Sequence, residues 1–358
     1  MLLDIGMIIA GFVVLVLGAD WLVKGASRLA LAAGITPLVV GLTVVAFGTS
    51  APELAVGVTS ALGGEADLAV GNVVGSNIAN VLLILGISAL VAPLVVNQQL
   101  VRLDVPIMFG ASLMFYVLAV DGNLNLWDGI LLSSCIIGYV VFLIKESRRE
   151  RDPLVLAEYD ELSEDDLKPQ PLWNNLFWLA IGIAGLVGGS QLLVEGAVSV
   201  ATALGVSELI IGLTVLAIGT SLPELATSVV AASRGERDIA VGNVVGSNIF
   251  NLMSVLGFTS LASLGDVAVS ATALRVDIPV MLAVALLCLP MFRSGYEISR
   301  KKGMVFVGAY ALYLLYLIVS VTSPQLVPVL EQLVLSLLLP AMIIFTLVFF
   351  IRDLRKEK

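Results

Sequence analysis

Two glutamates stand inside long apolar stretches of this chain, each closing the same six-residue string. Gly48-Thr49-Ser50-Ala51-Pro52-Glu53 and Gly219-Thr220-Ser221-Leu222-Pro223-Glu224 differ at one position. An ionised carboxylate at the centre of a membrane helix costs about 2.5–3.5 kcal/mol, and two facing one site would also repel. A bound cation offsets both costs. Proline has no N–H to donate, so Pro52 is expected to leave the Gly48 carbonyl unpaired, and Pro223 that of Gly219. A bare carbonyl in hydrocarbon must line a cavity or hold a ligand. With the hydroxyls of Thr49, Ser50, Thr220 and Ser221 beside them, Glu53 and Glu224 head a cluster of hard oxygen donors. Such donors, without thiolate or imidazole, suit Ca²⁺, Mg²⁺ or Na⁺ rather than Zn²⁺ or Cu²⁺.

A second pair of strings follows. In Gly-Asn-Val-Val-Gly-Ser-Asn-Ile-X-Asn, residues Asn72, Ser76 and Asn80 are spaced by four, as are Asn243, Ser247 and Asn251. Each trio therefore lies along one helix face. Polar residues in membrane helices serve either as packing contacts between helices or as ligands. Asn72, Asn243, Asn77 and Asn248 read as packing residues, and Ser76, Asn80, Ser247 and Asn251 as further oxygen donors. Other embedded charges have plainer readings. Asp20 and Lys24, four apart, are expected to pair. Glu195 occupies the repeat position of Lys24, near the outer interface. Asp104 and Asp277 precede prolines and are expected to compensate helix dipoles at helix starts.

These residues need elements to hold them at the middle of a bilayer. Of the 358 residues 59% are hydrophobic and 13% charged, and the mean hydropathy is +1.04. A soluble domain needs more charge than this to cover its surface, so the chain reads as a polytopic membrane protein. Continuous apolar runs without period-2 alternation indicate helices rather than a barrel. Ten segments are expected at 5–31, 37–62, 67–91, 103–120, 124–145, 174–202, 208–233, 238–262, 276–292 and 303–321, with an eleventh at 329–351. The residues before the first apolar run include no basic cluster, so a cleaved signal peptide is not expected.

The stretch from Gly41 to Gly86 repeats from Gly212 to Gly257 at a constant offset of 171, without a gap, and matches at 30 of 46 positions. An odd number of segments separates the copies, so the two halves lie upside down relative to each other. Inverted repeats meeting at the midplane are a secondary-transporter architecture, opening one central site alternately to either side. The expected organisation is a first five-helix repeat over 1–145, an acidic loop over 146–172, a second, inverted repeat over 173–321, and an extra C-terminal helix with a basic tail over 322–358. Placing the 146–172 loop in the cytoplasm puts 18 of the 19 basic residues inside, leaving Arg275 outside. That positive-inside bias puts the N-terminus outside and the C-terminus in the cytoplasm.

Composition also excludes. With no histidine in the chain, a histidine triad, an HExxH site or a histidine-bound metal cannot form. Cys135 and Cys288 both fall in apolar segments and read as buried thiols. The acidic run Tyr159-Asp160-Glu161-Leu162-Ser163-Glu164-Asp165-Asp166 lacks EF-hand spacing and glycine, and reads as a solvated linker. Nucleic acid is not an expected partner, and neither a cofactor nor enzymatic activity is expected.

Together the two strings and their copies resemble the alpha-repeats of the cation/calcium antiporter superfamily, in particular its prokaryotic sodium/calcium exchanger branch. The resemblance implies Na⁺/Ca²⁺ antiport across a cell membrane, with Ca²⁺ and Na⁺ as transported ions. It implies Glu53 and Glu224 as shared ligands, joined by Thr49, Ser50, Thr220, Ser221, Ser76, Asn80, Ser247 and Asn251 and by the backbone carbonyls of Ala46 and Ala217. Some members carry aspartate where this chain has Asn251, so this site holds two formal negative charges. These balance one Ca²⁺ or two Na⁺, and a third sodium leaves the loaded site at +1. The rival within the class is a Ca²⁺/H⁺ antiporter, or an exchanger of another divalent cation or one dependent on potassium. A plain cation channel accounts for the acids but not for the inversion.

Overall fold

The computed structural model describes residues 2–64, 66–149, 172–204, 217–265 and 267–333, together with residues 336 and 344. Among them the chain is nearly all helical. The helices are α1 (Leu2–Ala33), α2 (Pro37–Thr49), α3 (Ala51–Leu62), α4 (Leu68–Val91), α5 (Leu100–Leu118), α6 (Leu126–Ser147), α7 (Trp173–Ala203), α8 (Ala217–Gly219), α9 (Leu222–Ser233), α10 (Arg237–Ala262), α11 (Ala273–Arg293) and α12 (Arg300–Ser320). Eight of these are long and apolar enough to cross a membrane, and α2 with α3 makes a ninth, broken span bent by 44°. The seventh expected segment, 208–233, is described from Ala217 onward. Of the expected eleventh, 329–351, the described residues include the end of a short helix, Val327–Leu333, and most of the rest lies outside them, as does most of the acidic loop.

Two layers follow from side-chain size and polarity. The central helix α10 is buried from Asp238 to Gly257, and α4 over most of its length. These carry the glycine, serine and asparagine strings, whose small side chains permit close approach. A β-carbon at Gly246 would stand 2.7 Å from the Leu42 carbonyl oxygen and 2.8 Å from Ala46 Cβ. On the periphery α1 and α7 cross on glycines: a β-carbon at Gly18 would lie 2.6 Å from Leu186 N, and one at Gly189 2.5 Å from Leu15 N. Their opposite faces expose Phe12, Val13, Leu17, Phe177 and Leu192, which in a membrane protein is the lipid-facing surface.

The two halves share features that periodicity does not reveal. One-turn π-helical widenings occur at Leu100–Asp104 and Ala273–Asp277, and at Asn80–Ile84 and Asn251–Val255. Four two-residue strands also form: β1 (Leu94–Val95) pairs antiparallel with β4 (Glu297–Ile298), and β2 (Asn123–Leu124) with β3 (Val267–Ala268). Each ladder joins a loop of one half to a loop of the other, so the expected all-helical bundle has a short backbone tie at each end.

Asp104 and Asp277 correct their expectation. Neither opens a helix; each ends a π turn that runs directly into the next α-turns. Asp104 is fully buried and accepts hydrogen bonds from Tyr139 Oη at 3.0 Å and Gln99 Nε2 at 3.2 Å, while Asp277 accepts from Tyr313 Oη at 3.1 Å. They tie one helix to another, because a buried carboxylate needs donors more than a dipole. Cys135 and Cys288 are free thiols; Cys288 is buried, as expected, whereas Cys135 is only half-buried.

Candidate cation site

The site begins where two helices break. Ser50 (φ −79°, ψ 5°) ends α2 and Ser221 (φ −89°, ψ 5°) precedes α9, with Pro52 and Pro223 in the first turn that follows. Proline suits that position, where its missing N–H is not needed. Thus the prolines restart a helix and do not kink a continuous one. Glu53 and Glu224 fall in those same first turns, where the positive end of the helix dipole favours a carboxylate. Both side chains are fully buried.

The hydroxyls cross between the halves. Ser50 Oγ donates to Glu224 Oε1 at 3.3 Å, and Ser221 Oγ donates to Glu53 Oε1 at 3.3 Å. Ser76 Oγ lies 3.2 Å from Ser221 Oγ, extending the second chain of contacts into α4. Thr49 Oγ1 is 3.1 Å from Asn243 Oδ1, 3.4 Å from Ser247 Oγ and 3.3 Å from the Ala46 carbonyl oxygen. Thr220 Oγ1 donates to Asn72 Oδ1 at 3.2 Å. Asn243 in turn donates to Ser228 Oγ at 2.9 Å and to the Glu224 carbonyl at 3.3 Å.

What is left unpaired is as informative. Glu53 Oε2, Glu224 Oε2, Asn80 Oδ1 and Asn251 Oδ1 are buried and have no hydrogen-bond partner. All four are acceptors, and they form two pairs related by the repeat. Buried polar atoms without partners are costly, and each needs an explanation. A cation supplies one, since it satisfies acceptors and cannot satisfy donors. Asn80 and Asn251 also open π turns, a distortion frequent at functional sites. Among the described residues no three His, Cys, Asp or Glu gather as a metal centre, so a cation here would meet two carboxylates and otherwise neutral oxygens.

The structure therefore joins Ser50 to Glu224, Glu53 to Ser221 and Ser76, and Thr49 to Ser247, while Thr220 contacts Asn72; Asn80 stands one turn beyond Ser76 and Asn251 one turn beyond Ser247. The Ala46 carbonyl already accepts the Ser50 N–H at 3.0 Å and has a second lone pair within reach of Thr49. Ala217 opens α8, and the residues before it lie outside the described ones. Asn72 and Asn243, expected as packing residues, each also place an amide oxygen within hydrogen-bond distance of a threonine hydroxyl of the site.

The two ends of the site differ. Between α3 and α7 lies a cavity of about 410 Å³ lined by Pro52, Ala55, Gln191, Glu195 and Thr220 among others. At the repeat-related end, α1 packs against α9: Pro223, Ala226 and Thr227 are buried, whereas their counterparts Pro52, Ala55 and Val56 are not. Among the described residues, that closed end carries an ion pair absent from the open one. Asp20 bonds Lys24 at 3.1 Å, as expected, and also contacts Arg234 at the end of α9. Beside them Ser27 Oγ donates to Glu236 at 2.9 Å. Arg234 aligns with Gly63 and Asp20 with Gln191, so the repeat-related pair cannot build the same contact.

Known proteins are similar to this chain over both halves. Residues 3–145 and 174–319 match the family model described as sodium/calcium exchanger protein. The chain is 38% identical over 322 residues to the inner membrane protein YrbG of Escherichia coli, covering 88% of this chain and 96% of that one. It is 34% identical over 341 residues to the sodium/calcium exchanger MaX1 of Methanosarcina acetivorans, covering 87% and 97%. Its structure is similar to that of the sodium-calcium exchanger NCX_Mj soaked with 10 mM Na⁺ and zero Ca²⁺, with a TM-score of 0.74, 30% identity, and 90% and 99% of the two chains covered. With its repeated strings, its paired buried carboxylates and these matches across both halves, the chain belongs to the sodium/calcium exchanger family.

Proposed function

We propose that this membrane protein exchanges Na⁺ for Ca²⁺ by alternating access at the site between Glu53 and Glu224. The observation that carries the reading is the set of four buried, unpartnered acceptor oxygens on Glu53, Glu224, Asn80 and Asn251. Ca²⁺ takes six to eight oxygens in irregular geometry, and the hydroxyls of Thr49, Ser50, Thr220, Ser221, Ser76 and Ser247, with the carbonyls of Ala46 and Ala217, complete the proposed ligand set. Ca²⁺ and Na⁺ are cargo here, and the work is translocation rather than bond chemistry.

In this reading 1–145 and 173–321 are the two halves of the transporter. The charge bias orients the N-terminus outside, with the 146–172 loop and the C-terminus in the cytoplasm of a cell bounded by the host membrane. The cavity beside Glu195 then opens outward, and the Asp20–Arg234 contact closes the inner end. Exchange of three Na⁺ for one Ca²⁺ moves one net charge per cycle, and with two carboxylates that charge is carried by the Na⁺-loaded site.

The test is ⁴⁵Ca²⁺ uptake into proteoliposomes loaded with Na⁺, compared with vesicles loaded with K⁺ or acidified inside. Uptake is expected with internal Na⁺ alone. Uptake driven by an acid interior and indifferent to Na⁺ would establish proton coupling and overturn the proposal.

A further inference from the structure

We propose that Asn77 and Asn248 are positioning residues that decide which end of the Asn251 and Asn80 amides faces the cation. The inference rests on the cation-site reading above and extends it to two residues that do not themselves touch the ion.

It follows from which atoms can donate. Asn77 Nδ2 lies 3.3 Å from the backbone carbonyl oxygen of Asn248, and Asn248 Nδ2 lies 3.4 Å from that of Asn77. A backbone carbonyl only accepts, so each amide must turn its NH₂ towards it. Thioether sulfurs sit on the same side, Met281 Sδ 3.8 Å from Asn77 Nδ2 and Met108 Sδ 3.4 Å from Asn248 Nδ2, and sulfur too can only accept. The amide oxygens are thereby held on the other side. Asn77 Oδ1 meets Asn251 Nδ2 at 3.1 Å, and Asn248 Oδ1 meets Asn80 Nδ2 at 2.9 Å. Because those oxygens cannot donate, Asn251 and Asn80 must offer N–H there. Their own Oδ1 atoms are left pointing elsewhere, buried and without partners. Each stands one turn beyond a serine of the site.

The relay is crossed, like the serines: Asn77 of the first half orients Asn251 of the second, and Asn248 orients Asn80. Without it, the asparagine amide could present NH₂ to the cation, which is repulsive. All four side chains are buried, so water does not substitute for the missing acceptor.

A double-mutant cycle separates orientation from packing. In the Asn251→Asp background both terminal atoms are oxygens, so there is no orientation left to set, and Asn77 Oδ1 then faces another acceptor. Asn77→Ala is expected to weaken apparent Ca²⁺ affinity by about tenfold to a hundredfold in the parent, the usual effect of losing a ligand's supporting partner. In the Asn251→Asp background the same change should alter affinity by about twofold or less. Affinity is read from the KM of Na⁺-driven ⁴⁵Ca²⁺ uptake and from the Ca²⁺ dependence of thermal stability, which needs no transport. An equal loss in both backgrounds, or none in the parent, overturns the proposal. Should Asn77→Ala fail to insert, the mirror cycle of Asn248→Ala with Asn80→Asp decides on the same terms. Glu53→Gln serves as the control: normal exchange by that variant would overturn the cation site itself, whereas a dead Glu53→Gln with an additive cycle overturns the positioning role alone.

Discussion

Ser221 reaches across the boundary between the halves and donates its hydroxyl to Glu53 Oε1 at 3.3 Å. The glutamate's other oxygen has no partner. The carboxylate is therefore held by a neutral donor on one side and left open on the other, and Ser50 does the same for Glu224. This crossed support couples the halves, since moving one half relative to the other changes the environment of both carboxylates.

Removing either hydroxyl should loosen a carboxylate without removing it. Ser221→Ala and Ser50→Ala are each expected to raise the KM for Ca²⁺ about tenfold, the lower end of the effect of losing a supporting hydrogen bond to a ligand. The repeat makes the two losses comparable. The Ca²⁺ dependence of ⁴⁵Ca²⁺ uptake measures both, and an unchanged KM in either variant would remove that serine from the site.

The charge of the site predicts which step feels the membrane potential. With two carboxylates the Ca²⁺-loaded site is neutral, so Ca²⁺–Ca²⁺ exchange should be insensitive to voltage. In Asn251→Asp the loaded site carries one negative charge, worth up to about 2.3 kcal/mol per 100 mV if it crosses the whole field. Ca²⁺–Ca²⁺ exchange under imposed diffusion potentials should then become voltage-dependent. Voltage-dependent exchange in the parent would contradict the count of two.

The ion pair at the closed end should bias the access equilibrium modestly. Asp20 and Arg234 are partly exposed, and such pairs are worth about 0.2–1 kcal/mol, or roughly up to fivefold in a population. Arg234→Gln should raise the labelling rate of a thiol introduced at Ala226, buried at that end, by no more than about that factor. The experiment needs Cys135 and Cys288 replaced first. A rate unchanged or lowered by Arg234→Gln would show that the pair does not hold the end shut.

The crossing of α1 and α7 depends on glycine. A β-carbon at Gly189 would stand 2.5 Å from Leu15 N and 2.8 Å from Leu15 Cα, both backbone atoms that cannot move aside alone. Gly189→Ala is expected to destabilise the helix pair by about 1–3 kcal/mol, the usual cost of overpacking, seen as a lowered melting temperature in detergent. Gly188→Ala is the control, because a β-carbon there meets nothing within 4 Å. Equal melting temperatures for the two variants would refute the close crossing.

Much of this protein was written in local pattern. Continuous apolar runs specify membrane helices because the bilayer leaves the backbone no other way to pair its polar groups. The gapless repeat and the parity of its spacing imply inversion, and two glutamates in apolar surroundings imply a cation, since burying a lone charge costs so much. The pairing of Asp20 with Lys24 follows from helical spacing alone. The tertiary structure decided the rest, and the repeat itself is the reason. Because both halves carry the same string, nothing in the sequence says whether Ser50 serves Glu53 or Glu224; only the crossing of α2 and α3 over α8 and α9 puts the serine beside the opposite glutamate. An asparagine's letters likewise do not say which end of its amide faces the site, which Asn77 and Asn248 determine through contacts 171 residues away. Nor does the similarity of the halves predict which end is open. That asymmetry appears only in the fold, where Arg234, an unmatched residue, meets Asp20 once α1 lies against α9.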